Sequence, residues 1–304
     1  MEQYTQTDVL LSANNIGLRF GDNIILQDVN FKIHDIVRPP RPDGTVLTQG
    51  QIVALVGISG KGKTQLLRIL AGLTKFTPVH KVLSEKWDWV AKLFGHKHAE
   101  KVTGEVLINK EQIPVQEGNM GIVFQDYYMP EHLKIRKMWR KAAMKNPAFK
   151  KDKKLIDDAI AQIAAAFEIT QHLDKYPVGG QLSGGQKQRA NMAMQLLNGS
   201  NFILMDEPFS GLDALMIDKI LNLLRQVSQS DEIKTFLIVS HDLENCVAIA
   251  DHILVLSDKG REPNTGSTII EEINLIDLGL AWNPNAKQMP AFHQTVERIK
   301  NLFA

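Results

Sequence analysis

The run Gly57-Ile58-Ser59-Gly60-Lys61-Gly62-Lys63-Thr64 constrains this chain more than any other feature. It follows the apolar stretch Ile52-Val53-Ala54-Leu55-Val56 and opens a helical pattern at Leu66, Leu67, Ile69 and Leu70. The spacing is G-x-x-x-x-G-K-[ST] between a strand and a helix, the context in which that pattern carries meaning. Glycines let backbone N–H groups curl around phosphate oxygens, and the helix N-terminus adds a positive field. Lys63 is then the residue that reaches the β- and γ-phosphates, and the Thr64 hydroxyl is placed to ligate Mg²⁺. The segment predicts a nucleoside-triphosphate site on an α/β core.

A second pair of segments completes the pattern. Leu182-Ser183-Gly184-Gly185-Gln186-Lys187-Gln188-Arg189 precedes a helical run, and Phe202-Ile203-Leu204-Met205-Asp206-Glu207-Pro208 reads as an apolar strand ending in two carboxylates. Asp206 is expected to hold Mg²⁺ through its water shell. Strand side chains alternate, so Glu207 is expected to point elsewhere and to polarise the attacking water.

With these residues the chain resembles the ATP-binding-cassette (ABC) family, whose motifs occur here in family order. They are Phe20 in the adenine-stacking position, Gly57 to Thr64 as Walker A, Gln125 within Val123-Phe124-Gln125-Asp126, and Ser183 to Gln186 as the signature. Asp206-Glu207 follow as Walker B, then Gly211-Leu212-Asp213, then His241 within Val239-Ser240-His241-Asp242. The resemblance covers roughly Val9 to Leu256. It implies an α/β fold: a P-loop NTPase core of ABC ATPase type with an antiparallel β subdomain and an α-helical subdomain. It implies ATP and Mg²⁺ as cofactors. Phe20 and Gly57 through Gln65 would contact nucleotide, and Thr64, Gln125 and Asp206 would serve the metal. Glu207 would be the general base, and His241 would contact the γ-phosphate and hold the water. Lys63 and Gln125 complete the catalytic set, and Asp213 would lie at an interface. One cassette carries half of each site, so ATP would be clamped between Walker A of one copy and Ser183, Gly184, Gly185 and Gln186 of another.

The implied function is an ATP-hydrolysing subunit that energises a membrane transporter through nucleotide-driven dimerisation, most similar to bacterial importer subunits, with exporters that carry separate cassettes as the alternative. Its partners would be a second cassette, integral membrane permease subunits and a substrate-binding protein, with no direct nucleic-acid contact. Its place would be the cytoplasmic face of the inner membrane. Two other readings use the same motifs: a mechanochemical ATPase acting on a division or assembly complex, and a nucleotide-gated module that scarcely hydrolyses. Glu207 and His241 argue against the latter. Departures from the family pattern bear on coupling rather than on ATP binding. Gln65 stands where Thr or Ser is common, Met194 stands in place of an arginine, and Gly179-Gly180 lengthen the approach to the signature.

The 304 residues carry a formal net charge of +1, so the molecule as a whole is not a polyanion binder. A single cysteine, Cys246, excludes an intrachain disulfide and a cysteine-based zinc site, and reads as a small buried hydrophobe. No run approaches the roughly 18 apolar residues of a membrane span, and Met1 to Leu11 lacks a signal-peptide core. A cytosolic protein that meets membranes through partners is expected.

Along the chain, Val9 to Phe20 and Ile24 to Ile33 read as a hairpin turning at Gly21-Asp22-Asn23. Phe20 beside that turn is either an ordinary half-buried strand side chain or the adenine-stacking aromatic. The nucleotide-binding core is expected over residues 1–125 and 200–270, with insertions near 34–50 and 76–102. The helical subdomain is expected over 126–199 and a C-terminal extension over 271–304. The first insertion, with Pro39, Pro40 and Pro42, reads as a surface loop. In the second, Leu83, Trp87, Val90 and Phe94 fall at helical spacing, and the helix packs on the cassette or touches a membrane partner. His96 and His98 are two apart and do not share a helix face, so a metal site is not expected from them. The basic tract from Lys134 to Lys154 is a solvated face or one drawn to anionic head groups.

Overall fold

The computed structural model describes residues 4–37, 48–74, 100–125, 129–228, 234–262, 264–281, 283 and 285–303. Two sheets organise it. One is antiparallel, in the order β3-β2-β1-β5-β6, built from β1 (Thr5–Phe20), β2 (Asn23–Val37), β3 (Thr48–Gln49), β5 (Glu100–Ile108) and β6 (Ile113–Pro114). The other, in the order β11-β10-β4-β9-β8-β7, uses β4 (Gln51–Gly57), β7 (Gly121–Val123), β8 (Phe202–Asp206), β9 (Thr235–Ser240), β10 (His252–Ser257) and β11 (Thr268–Asn274). Its strands pair in parallel except β11, which runs antiparallel along β10.

A parallel sheet covered on both faces explains why these strands read as unbroken apolar runs. Ile52, Ala54 and Val56 of β4 face one core, together with Phe236 and Ile238 of β9 and Ile253 and Val255 of β10. Val53 and Leu55, with Leu237, Val239, Leu254 and Leu256, face a second core shared with the antiparallel sheet. Helix α1 (Lys63–Leu70) buries Leu66, Leu67, Ile69 and Leu70 in that second core.

The first core continues into the helical lobe, where α2 (Ile135–Ala143), α3 (Lys153–Ala166) and α4 (Gly184–Leu197) pack together. Helix α2 buries Ile135, Met138, Trp139 and Ala143, one face of a 3.6-residue repeat. Trp139 Nε1 donates to the carbonyl of Ala190, 3.0 Å away, which ties α2 to α4. Helices α5 (Ala214–Ser228), α6 (Leu243–Ile249) and α7 (Pro290–Phe303) cover the rest of that face, with Phe292, Val296 and Ile299 of α7 in the core.

Three boundaries differ from the sequence reading. Strand β2 runs on to Val37, with Asp35 and Ile36 buried, where a loop is expected from His34. Prolines begin only at Pro39, and β3 returns to pair Gln49 with Ile36, so the sheet extends into both ends of the expected insertion. Strand β5 starts at Glu100 and pairs Val102 with Leu18, so residues 100–102 belong to the sheet. Strand β11 crosses residue 271 and closes the edge of the core sheet. The amphipathic segment of Leu83 to Phe94 and the His96/His98 pair lie outside the described residues.

Past β10, the chain fastens the antiparallel hairpin to the core. Ser267 N donates to Ile25 O (2.9 Å), Gln27 N to Ser267 O (3.0 Å), and Thr268 Oγ1 to Asp28 O (2.9 Å). Arg261 Nη1 adds a bond to Gln27 O at 3.2 Å.

Candidate nucleotide site

Strands β4, β7, β8 and β9 all deliver their C-terminal ends to one crevice, the place where open α/β sheets hold ligands. A cavity of about 440 Å³ lies there, lined by Phe20, Ile25, Ser59, Gly60, Gly62, Lys63, Thr64, Gln65, Gln125, Glu207 and His241. Most of the sequence-predicted nucleotide and catalytic residues therefore meet in one space, although they come from five separate stretches of chain.

The phosphate loop has the geometry its glycines predict. Gly60 and Gly62 take φ of 80° and 93°, the left-handed region. A Cβ at Gly62 would also stand 2.8 Å from Ile25 and 2.9 Å from Leu26 side-chain carbons, so only glycine fits. Gly62 caps α1 without a side-chain bond, and no acidic residue lies in the helix's first turn. The first N–H groups of α1 are thus left for an anion.

Lys63 is buried, and its ammonium donates to Gly57 O (2.7 Å) and Ile58 O (3.1 Å). Burial holds its pKa below the ordinary lysine value, against the opposing fields of Glu207 and Asp206. Asp206 itself is buried at the end of β8 and is not among the residues lining the cavity. Of the three metal candidates, Thr64 and Gln125 line the cavity, and the Asp206 carboxylate sits deeper, within the field of Lys63. An uncapped helix start, a buried ammonium, a hydroxyl, an amide and a carboxylate form a donor set that suits a metal-bound polyphosphate.

Three residues of the loop do other work than contacting the cavity. Gly57 and Ile58 contribute carbonyls to Lys63, and the Lys61 ammonium points away, bonded to Asp258 Oδ2 at 2.6 Å. Lys61 in turn holds the Asp258 carboxyl below the usual carboxylate range.

Glu207 reaches the cavity by a different route from the one expected. Strand β8 ends at Asp206, and Glu207 takes φ of 48°, so a left-handed kink rather than strand alternation aims its side chain. Its N–H donates to Val239 O (2.8 Å), which anchors the kink on β9. Glu207 Oε1 lies 2.9 Å from His241 Nδ1, and Oε2 accepts from Ser240 Oγ at 3.0 Å. The Glu207 side chain is only 12% exposed, whereas that of His241 is 69% exposed.

The signature lies elsewhere. Ser183 caps α4 in a reciprocal box: its Oγ accepts from Gln186 N (3.3 Å), and Gln186 Oε1 accepts from Ser183 N (2.9 Å). Ser183 and Gly184 are exposed, and no residue from 183 to 186 lines the cavity. Asp213 is likewise exposed, and its carboxylate caps α5 by accepting from Met216 N at 2.9 Å. Cys246 is fully buried, and burial drives its thiol pKa far above the ordinary range.

Ser240, Gln188 and Asp258 escape the sequence reading. Gln188, buried in α4, donates to the carbonyls of Glu207 and Pro208, and so joins the signature helix to the kink. A polar residue inside the signature helix carried that signal. Asp258 carried none, since its partner lies 197 residues away.

A family model described as "ABC transporter" matches residues 44–210. The chain is 30% identical over 265 residues to the sulfate/thiosulfate import ATP-binding protein CysA of Synechocystis sp., covering 85% of this chain and 61% of that protein. It is 31% identical to the spermidine/putrescine import ATP-binding protein PotA of Protochlamydia amoebophila, covering 84% of this chain and 57% of that protein. It thus spans about three fifths of the length of these curated relatives. A dimeric ATP-binding cassette solved with ADP and Pi superposes with a TM-score of 0.60 at 22% identity, over 88% of this chain and 99% of that one, which shows the same fold. This chain belongs to the ABC transporter family.

Proposed function

We propose that this chain binds and hydrolyses ATP in a pair of cassettes and passes the resulting opening and closing to membrane subunits of an importer. The observation that carries the reading is the single cavity that gathers the phosphate loop, Gln125, Glu207 and His241, with the signature outside it. A site built this way is half of a sandwich. Its other wall would be the exposed start of α4 from a second copy, where the capping box occupies the Gln186 N–H. The Gly184 and Gly185 N–H groups and the Ser183 hydroxyl proton then remain to meet a γ-phosphate.

In the reaction, the Lys63 ammonium exchanges its two loop carbonyls for phosphate oxygens. Thr64 and Gln125 would hold Mg²⁺, with Asp206 acting through water, and the ion would neutralise charge on the β- and γ-phosphates. The Glu207 carboxylate takes a proton from water as the water oxygen bonds to the γ-phosphorus. The bond from that phosphorus to the bridging oxygen breaks, and its electron pair leaves with ADP. His241, whose side chain is largely exposed, is the residue to exchange Glu207 for the γ-phosphate. Phe20, at the cavity rim, supplies a face for adenine. Losing ATP removes the shared ligand, and this difference in affinity between closed and open pairs can drive a cycle.

The importer assignment rests on the relatives' names, and the same names support permease partners, a substrate-binding protein and a place on the cytoplasmic membrane face. No helix among the described residues is long and apolar enough to cross a membrane. A Glu207→Gln variant is expected to bind ATP, pair in its presence and hydrolyse it about 10²–10⁴-fold more slowly. Light scattering with and without ATP, alongside phosphate release, tests this. An ATP-loaded Glu207→Gln protein that stays monomeric at high concentration, alone and with its membrane partners, would refute it.

A further inference from the structure

Ser240 closes β9 with its hydroxyl almost wholly buried, 1% exposed, on the same face as Phe236 and Ile238. Three groups meet that hydroxyl, one of them the buried Cys246 thiol, whose S–H can donate to its second lone pair. Its oxygen accepts from Asp242 N at 3.1 Å, the two-residue turn that leads the chain into α6, and lies 3.0 Å from Glu207 Oε2. A hydroxyl has one proton, and an N–H already occupies one lone pair, so the proton goes to the carboxylate. His241 Nδ1 meets the other oxygen, Oε1, at 2.9 Å. The two oxygens of Glu207 therefore have different lives: one is held by a buried strand-end group and the other by an exposed side chain that can leave.

We infer that Ser240 is the positioning residue for the Glu207 carboxylate. It clamps Oε2 throughout the cycle, so that Oε1 alone is handed from His241 to the attacking water. This rests on the reading above that Glu207 receives the water's proton. The left-handed kink at Glu207 gives the role its purpose. With the backbone turned out of the strand, alternation no longer fixes the side chain, and a second anchor is needed to hold Oε1 within reach of water.

The test compares steady-state ATP hydrolysis by the full chain and its Ser240→Ala, Ser240→Thr and Glu207→Gln variants. Ser240→Ala should lower kcat about ten-fold or more with KM for ATP unchanged, the size of a lost bond to a charged group. Ser240→Thr, which keeps the donor, should restore most of it. Added to Glu207→Gln, the alanine change should cost nothing further, because the group it positions is gone. Should Ser240→Ala fail to fold, Ser240→Val, which matches the threonine variant in shape but lacks the donor, reads the same step. Wild-type kcat in folded Ser240→Ala or Ser240→Val, with Glu207→Gln slowed, overturns the role of Ser240 alone. Wild-type kcat in Glu207→Gln overturns the reading beneath it. A fall in kcat matched by a rise in KM and a lower Tm marks a structural role and overturns the inference as well.

Discussion

Lys63 shows how a single side chain is held ready. Its ammonium is buried against two loop carbonyls, within the fields of Glu207 and Asp206, and burial depresses its pKa. Polyphosphate oxygens would favour the charged form and raise that pKa again, so binding and protonation are linked. Affinity for ATP should be full below the depressed pKa and fall as pH rises through it, starting below the titration range of a free lysine. A fluorescent ATP analogue titrated across alkaline pH checks this, and an affinity flat up to the ordinary lysine range would contradict it. At Gln186 the consequence is structural. Replacing it with alanine removes half of the capping box and should cost about 0.5–1 kcal/mol in urea unfolding, with Ser183→Ala at about 0.5–2 kcal/mol. These roles differ in how far sequence reveals them. Phosphate chemistry ties glycine, lysine and threonine to fixed spacing, so the loop can be read directly. Nothing in Asp206-Glu207-Pro208 announces that a non-glycine residue will turn left-handed, and nothing in a lone serine before His241 announces its bond.

Elements in the helical lobe depend on one aromatic and two ion pairs. Trp139 is fully buried with its N–H satisfied by α4, so Trp139→Ala should cost about 3–5 kcal/mol and loosen α2 from α4. Denaturant unfolding, with hydrogen exchange over α2, measures it. Within the basic tract, Arg136 and Arg140 are committed to Asp174 and Asp157 through paired bonds of 2.8–3.1 Å. Those bonds lower both aspartate pKa values. A depressed carboxylate pKa stabilises the fold above the unfolded value, about 3.9, and that contribution is lost as pH falls through the folded one. Both pairs are exposed, so the loss of Tm below about pH 4 should be small and should shrink with salt. Sequence shows the basic tract but not its partners, because Asp174 lies 38 residues beyond Arg136. The strand ends at 34–37 and 100–102 were hidden for a related reason: pairing across the sheet, not local propensity, decides where a strand stops.

For the whole molecule, residues 183–186 lie outside the cavity that holds the phosphate loop, and the proposed function therefore calls for a second cassette to complete the site. Because Cys246 is buried and its thiol pKa is pushed high, cysteines placed at Ser59 and Gly184 should form the reactive background-free pair in a Glu207→Gln protein. Cross-linking between copies should require ATP and vanish with ADP; equal yields without nucleotide would speak against the sandwich. Architecture at this scale was legible because alternating cores leave continuous apolar strands, whereas the fastening after β10 was not, since its bonds are mostly backbone to backbone. That fastening links two distant places. The Lys61–Asp258 pair ties the phosphate loop to the very segment that grips Ile25, Gln27 and Asp28. A dye attached at exposed Glu262 is therefore expected to respond when nucleotide arrives, and a response that survives Asp258→Asn would show that this pair is not what carries the signal.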